Sequence, residues 1–271
     1  MKILNGKELA DYIKERQAKQ VRALRQAHKV APKLVIIRTN PDPVVDSYMK
    51  LKAGYGADIE VETEVLTIKQ EEAAEAIQKL NHDKTVHGII VQIPLPDPKQ
   101  TNDILNTVSP KKDVDGLNEK TVFDAPTPMA INWLLAGYNV DFLGKHIVVV
   151  GHGRLVGKPL SKMWIASGYD FEVVDKKIDN LAEVTKKADI LVTATGVPGL
   201  IKPDMVKPEA VIVDAGVATD KNGLVGDVAT SVRELPNITI TPEKGGVGPL
   251  TVCALFENVI RAARQVAEAQ Q

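Results

Sequence analysis

Two residues in the first half of the chain have types and spacing that suit proton transfer on an organic substrate. Tyr48 and Lys52 are four residues apart, so in a helix they lie on the same face. A lysine held beside an aromatic ring in a cleft can have a lowered pKa and move protons. A solvated lysine that covers a tyrosine explains the same pair, so both interpretations stand.

Two further polar residues follow apolar or turn-forming segments. Gln92 ends the apolar run Gly88–Val91 just before a proline turn. Open α/β sheets bind ligands at this end of a strand, although an amide can also simply cap the turn. Asp115 lies in the turn Lys112-Asp113-Val114-Asp115-Gly116, which either presents an acid to a ligand or is an ordinary Asp-Gly turn.

The second half of the chain contains a pattern typical of phosphate binding. The apolar run Ile147–Val150 predicts a buried strand, and it leads through Gly151-His152-Gly153-Arg154-Leu155-Val156-Gly157 into a helical pattern. This arrangement brings backbone N–H groups and the positive end of a helix dipole to one point, where a pyrophosphate can bind. Asp175 follows the next predicted strand, where a carboxylate would accept a hydrogen bond from a ribose 2′-hydroxyl. The glycine spacing is one residue longer than the usual dinucleotide fingerprint, so a tight turn with an unremarkable strand-end Asp175 is the alternative.

An alternation of strands and helices must position these residues. The apolar periodicity predicts helices over Lys7–His28, Val45–Tyr55, Glu71–Leu80 and Pro249–Ala267, and strands over Leu34–Ile37, Ile59–Leu66, Gly88–Ile93, 146–150, 171–174, 189–193 and 211–214. Such alternation implies parallel sheets with right-handed crossovers. We therefore predict an α/β protein of two lobes with a cleft between them. These are an N-terminal catalytic lobe, 1–118, and a Rossmann-like nucleotide-binding lobe, 119–249, with the last helix, about 250–271, packed back onto the first lobe.

The composition excludes several classes of function. The chain has 271 residues and a net charge of −1, which argues against a nucleic-acid or anionic-membrane partner. Its one cysteine, Cys253, lies in an apolar helical pattern, fits packing better than catalysis, and favours a reducing, cytoplasmic compartment. The five histidines are scattered, so no metal site is expected. No segment has the apolar length of a membrane span.

Several segments, in the same order along the chain, resemble the methylenetetrahydrofolate dehydrogenase/cyclohydrolase family. They are Tyr48-x-x-x-Lys52, Thr85 to Pro96 with its V-Q-I-P-L-P, Lys112 to Gly116, Pro126-Thr127-Pro128, Val225 to Val228, and Gly245 to Thr251 with its G-G-V-G-P-L-T. The resemblance covers nearly the whole chain. It implies NAD(P)-dependent oxidation of 5,10-methylenetetrahydrofolate to the 5,10-methenyl form, followed by hydrolysis to 10-formyltetrahydrofolate. Such an enzyme would serve one-carbon metabolism and purine biosynthesis as a homodimer.

The resemblance also implies roles for individual residues. Lys52 would transfer the proton of the hydrolytic step, with Gln92 supporting it by a hydrogen bond. Tyr48 would stack on the folate, and Asp115 would bind the amino and amide edge of the pterin. Further contacts are expected from two groups of residues: to the substrate from Gly246 and Pro249, and to the cofactor from Gly151, His152, Gly153, Arg154, Leu155, Val156, Gly157, Asp175, Thr195, Gly196, Gly216 and Val217.

The chain departs from the family pattern at the nucleotide turn. The family commonly has an arginine and a serine where this chain has His152 and Gly153, and often a histidine and a serine where it has Asp175 and Lys176. A carboxylate near the ribose accepts from a hydroxyl and repels a phosphate, so we predict a preference for NAD over NADP. The alternative is that Lys176, Lys177 or Arg154 binds the 2′-phosphate while Asp175 points away.

Two other departures lie near the expected active site. The segment after Lys52 is about two residues shorter than in the family, and a shifted alignment would make Lys50 the catalytic lysine. Glu243-Lys244 replace the family's usual V-P before the G-G-V-G-P loop.

The sequence leaves three alternative functions open. They are a dehydrogenase with little cyclohydrolase activity, a folate or dinucleotide sensor without turnover, and an NAD-dependent dehydrogenase of a small acid or amino acid. The last leaves the K-D-V-D-G and V-Q-I-P-L-P segments unexplained.

Overall fold

The protein, described here from a computed structural model over residues 1–41, 43–220 and 223–270, divides into two compact units. Unit 1 contains residues 1–10 and 127–251, and unit 2 contains residues 11–126 and 252–271. Residues 1–10 and 119–126 thus fall on the other side of the division from the lobes drawn from sequence. The first ten residues join unit 1 because their strand adds to the edge of its sheet.

Both units alternate strands with helices along most of their length. The strands are β1 (Lys2–Ile3), β2 (Lys33–Arg38), β3 (Glu62–Thr67), β4 (Gly88–Val91), β5 (Ile147–Val150), β6 (Glu172–Val174), β7 (Ile190–Thr193), β8 (Val211–Asp214), β9 (Ala218–Asp220), β10 (Gly223–Val225) and β11 (Thr239–Ile240). The helices are α1 (Gly6–Ala27), α2 (Pro43–Asp58), α3 (Ala73–His82), α4 (Thr101–Thr107), α5 (Pro126–Gly137), α6 (Gly157–Ala166), α7 (Leu181–Thr185) and α8 (Val247–Glu268). Short 3₁₀ turns cover Gln70–Glu72, Pro98–Gln100, Pro203–Met205 and Thr230–Glu234. Among the described residues no helix is long and apolar enough to cross a membrane.

Unit 2 is built on a three-stranded parallel sheet in the order β3-β2-β4. The central strand β2 is apolar on both faces, as expected for a strand covered from both sides. Leu34 and Ile36 pack on one face with the apolar stripe of α8, including Phe256. Val35 and Ile37 pack on the other face in a second core. The helix predicted near the C-terminus therefore fills the core beside β2.

Unit 1 contains a six-stranded parallel sheet in the order β1-β11-β8-β7-β5-β6. The chain goes from β5 to β6 on one side and then returns to β7 on the other side of β5. The strand order therefore reverses at β5, and open α/β sheets bind ligands beside such a reversal, at the carboxyl ends of the strands. A small antiparallel hairpin, β9–β10, follows β8.

The segment between α2 and β3 differs from the sequence prediction. Helix α2 continues to Asp58, three residues past its expected end, and β3 begins at Glu62 rather than at Ile59. Ile59 is buried, but in a tight turn in which the amide of Val61 donates to the carbonyl of Gly56 at 2.8 Å. An apolar residue buried in a turn is indistinguishable from a strand residue by pattern alone.

Candidate functional site

Helix α2 and strand β4 bring Lys52 and Gln92 into direct contact. Tyr48 and Lys52 lie one turn apart on α2, and both are half-buried. The Lys52 Nζ donates a hydrogen bond to Gln92 Oε1 at 3.3 Å. The amide of Gln92 is oriented by its second group, since its Nε2 donates to the carbonyl of Ile93 at 3.0 Å. The oxygen of Gln92 is thereby directed at the lysine.

Lys50 lies in a different environment from Lys52. Its side chain is exposed, whereas that of Lys52 is half-buried. Gln92 is hydrogen-bonded to Lys52, which is the contact that the resemblance implied for the catalytic lysine. This geometry favours Lys52 over the shifted alignment.

The turn that presents Asp115 is held from two sides. Asp113 is buried, and its Oδ2 accepts from the backbone N–H of Asn118 at 2.8 Å. Asn258 of α8 is also buried and donates from Nδ2 to the carbonyls of Val114 and Asp124, each at 2.9 Å. The two carboxylates of the turn therefore have different roles: Asp113 fixes the turn, and Asp115 is left beside the lysine. Sequence reasoning missed Asn258, whose signal is a polar residue inside the apolar stripe of α8.

Burial in this cluster shifts the Lys52 amine towards its neutral form. Withdrawal from water lowers the pKa of Lys52, and the nearby Asp115 carboxylate raises it in part. Burial raises the pKa of Asp115, and the charge of Lys52 offsets some of that rise. Burial also raises the pKa of Tyr48, so its phenol stays protonated and presents a neutral ring face. An amine with a lowered pKa can accept a proton near neutral pH.

The glycine turn after β5 has the geometry that a dinucleotide site needs. Gly151 has a positive φ of 100°, and a side chain there would contact the backbone of Ala194 at 2.6 Å. A methyl group at Gly157 would overlap the carbonyl of Gly151, so the chain can fold back on itself here only with a glycine. Between them His152, Gly153, Arg154 and Leu155 are exposed and Val156 is half-buried. The close backbone approach and the start of α6 fit a pyrophosphate cradle.

The remaining cofactor candidates lie on loops at the same edge of the sheet, because all its strands are parallel. Asp175 directly follows β6, is exposed, and accepts from the backbone N–H of Lys177 at 2.9 Å. The Nζ of Lys176 donates to the carbonyl of Thr195, in the loop after β7, at 3.4 Å. Thr195 and Gly196 follow β7, and Gly216 and Val217 follow β8.

The loop before α8 is held by contacts with the first turn of α1 and with the 3₁₀ turn Thr230–Glu234. The backbone N–H of Lys7 donates to the carbonyl of Gly245 at 2.9 Å. Glu243 Oε1 accepts from the Thr230 hydroxyl at 2.7 Å and lies 4.0 Å from Arg233 Nη1. These contacts give the unusual Glu243 a role in anchoring the loop that carries Gly246 and leads into the first turn of α8, where Pro249 lies. Tyr48, Lys52, Gln92 and Asp115 belong to unit 2, whereas Gly246, Pro249 and every cofactor candidate belong to unit 1.

The fold is a two-unit α/β protein with a Rossmann-like sheet in unit 1 and a polar cluster of Lys52, Gln92 and Asp115 in unit 2. Comparison with known families agrees on both parts. Residues 4–115 match the tetrahydrofolate dehydrogenase/cyclohydrolase catalytic domain, and residues 125–267 match the NAD(P)-binding domain of the same family. The chain belongs to the tetrahydrofolate dehydrogenase/cyclohydrolase family, whose members are bifunctional enzymes.

Individual relatives match over nearly their whole length. The chain is 38% identical to the bifunctional protein FolD of Geobacillus thermodenitrificans, over 98% of each chain. It is 36% identical to that of Exiguobacterium sibiricum, over 97% of this chain and 99% of the relative. The crystal structure of FolD, the methylenetetrahydrofolate dehydrogenase/cyclohydrolase from Campylobacter jejuni, superposes with a TM-score of 0.91 at 33% identity and covers 98% of this chain and 99% of that one. The resemblance stated from the sequence motifs is thus confirmed.

Proposed function

We propose that Lys52 is the residue that transfers the proton when this enzyme hydrolyses 5,10-methenyltetrahydrofolate to the 10-formyl form. The observation that carries the proposal is the half-buried Lys52, hydrogen-bonded to Gln92 and electrostatically coupled to Asp115. Burial without a full counter-charge keeps the amine available as a base. A solvated lysine covering a tyrosine would have neither partner.

The hydrolytic step needs one base and no metal ligand from these residues. The oxygen of a water molecule attacks the methenyl carbon, and the neutral amine of Lys52 takes a proton from that water. The bond from this carbon to N5 of the folate then breaks as the hydroxyl of the adduct loses its remaining proton to solvent and becomes the formyl C=O. The Lys52 ammonium returns its proton to N5, which leaves the formyl group on N10. Gln92 keeps the amine in place while it is alternately neutral and charged, because its amide oxygen accepts in both states.

Tyr48 and Asp115 have the chemistry to hold the substrate. A planar pterin or aminobenzoate ring suits the neutral ring face of Tyr48. The pterin edge carries N–H donors, and Asp115 offers acceptors in a turn that is anchored by Asp113 and Asn258. We assign these two residues to substrate binding. Gly246, in the loop before α8, and Pro249, in the first turn of α8, are assigned to it as well.

The oxidative half-reaction depends on unit 1. A bound nicotinamide dinucleotide, held by the glycine turn and the loops of unit 1, would supply the hydride acceptor for oxidation of the substrate's methylene carbon. The turn from Gly151 to Gly157 is assigned to the pyrophosphate, since only glycine fits at its two ends. The loops that contain Thr195, Gly196, Gly216 and Val217 complete the cofactor contacts in this proposal.

We further propose that the enzyme prefers NAD⁺ to NADP⁺. Asp175 stands at the end of β6, where the ribose of a dinucleotide is held in this fold class, and its Oδ1 is engaged by the amide of Lys177. The Nζ of Lys176, a candidate ligand for a 2′-phosphate, is instead directed at the carbonyl of Thr195. An exposed carboxylate at this position suits a hydroxyl, from which it accepts, better than a phosphate, which it repels.

The cellular setting is proposed from the single cysteine and from the family resemblance. The single Cys253 is buried, which suits a reducing cytoplasmic compartment. The resemblance to the family supports a homodimer and a role in supplying one-carbon units for purine biosynthesis.

One absorbance experiment tests the functional proposal. Purified enzyme is mixed with 5,10-methylenetetrahydrofolate and either NAD⁺ or NADP⁺, and reduced cofactor and methenyl product are followed separately. Reduced cofactor without lasting methenyl is expected, with the higher kcat/KM for NAD⁺. Persistent methenyl would indicate a dehydrogenase with little cyclohydrolase activity. Absence of any reduction would indicate a binding protein without turnover, and a clear preference for NADP⁺ would refute the assignment of Asp175.

A further inference from the structure

Two buried carboxylates lie beneath the proposed cofactor loops, and the mechanism above does not use either. Asp227 has no exposed surface. Asp214 ends β8, and its side chain is only 4% exposed. Burying a carboxylate is unfavourable unless several donors replace its water, so the donors show what such a residue holds in place.

The donors to Asp227 come from the loop that follows β7. Its Oδ2 accepts from the backbone N–H of Thr195 at 2.6 Å, and its Oδ1 accepts from the backbone N–H of Val197 at 3.0 Å. These two amides flank Gly196. On the opposite side, a methyl group at Gly216 would overlap the carboxylate of Asp227, so the loop after β8 passes directly against it. One carboxylate therefore contacts both loops.

Asp214 in turn holds the backbone around Asp227. Its Oδ1 accepts from the amides of Gly216 at 3.1 Å and Asp227 at 3.0 Å, and its Oδ2 accepts from the amide of Val228 at 3.0 Å. Arg233 Nη2 lies 3.6 Å from Asp214 Oδ2 and supplies the compensating positive charge. Arg233 Nη1 also donates to the carbonyl of Val228 at 3.2 Å.

We propose that Asp227, itself fixed by Asp214 and Arg233, is a positioning residue that presets the loops 195–197 and 216–217 for the dinucleotide. The inference rests on the proposed function of these loops as cofactor contacts. A loop that is already ordered loses less conformational freedom on binding, so presetting it raises affinity without adding a contact to the ligand. Asp227 would thus control cofactor affinity without touching the cofactor.

Asp227→Asn tests this role with little change in shape. The amide has a single acceptor oxygen, so its NH₂ group must face the N–H of either Thr195 or Val197, and one loop hydrogen bond is lost. We expect the KM and the Kd for the dinucleotide to rise about tenfold, with a smaller change in kcat. Hydrolysis of methenyltetrahydrofolate needs no dinucleotide and is measured on the same samples to report the amount of folded enzyme. Asp204→Asn, which removes an exposed carboxylate from the same unit, is the matched control.

The outcomes separate a positioning role from a merely structural one. Weaker dinucleotide binding in Asp227→Asn, with hydrolysis retained and Asp204→Asn unchanged, supports the inference. An unchanged Kd, or a parallel fall of both activities together with the melting temperature, overturns it. If Asp227→Asn yields no folded protein, Arg233→Lys is used instead, with the same expected split between cofactor Kd and hydrolysis. Failure of the wild-type enzyme to bind either dinucleotide would refute the proposed function itself, whereas normal wild-type binding with an unaffected variant refutes only the role of Asp227.

Discussion

Replacing Gln92 in two ways should move the pH dependence of hydrolysis in opposite directions. Gln92→Met removes the oxygen that accepts from the Lys52 ammonium, so the charged form loses a partner and the pKa of Lys52 falls. Gln92→Glu places a carboxylate at the same position, so the charged form gains a partner and the pKa rises. Because the neutral amine is the active base, a lower pKa shifts the acidic limb of the rate profile to lower pH, and a higher pKa shifts it to higher pH.

The size of the effect follows from a single hydrogen bond. The 3.3 Å between Lys52 Nζ and Gln92 Oε1 is at the long end for an N–H···O contact, so its loss is worth about 1 kcal/mol. This corresponds to about a fivefold lower rate for Gln92→Met on the alkaline plateau, where the lysine is neutral and only its positioning is lost. Gln92→Glu should show its largest deficit near neutral pH and recover as the pH rises.

The assay follows the decay of methenyl absorbance across the pH range, with the uncatalysed hydrolysis subtracted at each pH. Cofactor reduction at saturating NAD⁺ is measured in parallel to confirm that both variants bind folate. Limbs that move in the same direction, or that do not move, would show that Lys52 is not the titrating base. Full activity of Gln92→Met at every pH would show that the hydrogen bond has no part in positioning the amine.

Three further predictions address the other assignments. Lys52→Met should lower the rate of hydrolysis about 10²–10⁴-fold while cofactor reduction continues, so that the methenyl product accumulates. The control variant Lys50→Met, at an exposed position, should hydrolyse normally. The reverse result would restore the shifted alignment, in which Lys50 is the catalytic lysine. Asp175→Ser should reduce the ratio of kcat/KM for NAD⁺ to kcat/KM for NADP⁺ about tenfold, because it removes the Coulomb repulsion between an exposed carboxylate and the 2′-phosphate. Steady-state kinetics with both cofactors measure this ratio, and an unchanged ratio would refute the role of Asp175. Asn258→Leu should lower the free energy of unfolding by about 2 kcal/mol, because the carbonyls of Val114 and Asp124 lose their hydrogen-bond donor. The same change should raise the KM for folate. A urea titration that shows no loss of stability would contradict this prediction.

Sequence patterns predicted most of the elements because the central strands of both sheets are short, continuous apolar runs. The runs 34–37, 147–150 and 190–193 are buried on both faces and could be assigned without knowledge of their neighbours. The start of β3 was wrong because Ile59 is buried in a turn rather than in a strand. Gly56 belongs to the altered segment after Lys52, and a side chain there would contact Val61 and Phe256, a distant constraint that local patterns do not contain.

The sequence predicted only those parts of the candidate site that depend on spacing within one element or on a family motif. Spacing placed Tyr48 and Lys52 on one face of α2, and the family motifs pointed to Gln92 as the partner of Lys52. The turn pattern alone did not distinguish Asp113 from Asp115, and only the family resemblance singled out Asp115, since the difference comes from contacts with Asn118 and α8. The role of Asp227 depends on amides about 30 residues earlier in the chain, so only the fold reveals it.

The path of the chain through the two units has a consequence for biosynthesis. Unit 1 takes its edge strand from the first residues and most of its sheet from residues 127–251, while unit 2 takes its sheet from residues 11–126 and part of its core from α8. During translation, the early segments of each unit therefore cannot finish folding until residues much later in the chain have been synthesised. An independent N-terminal domain can form its core before the rest of the chain is made, but neither of these units can. Cutting the chain between residues 126 and 127 would separate β2 from the side chains of α8 that cover it. We expect nascent chains to stay protease-sensitive until α8 has left the ribosome.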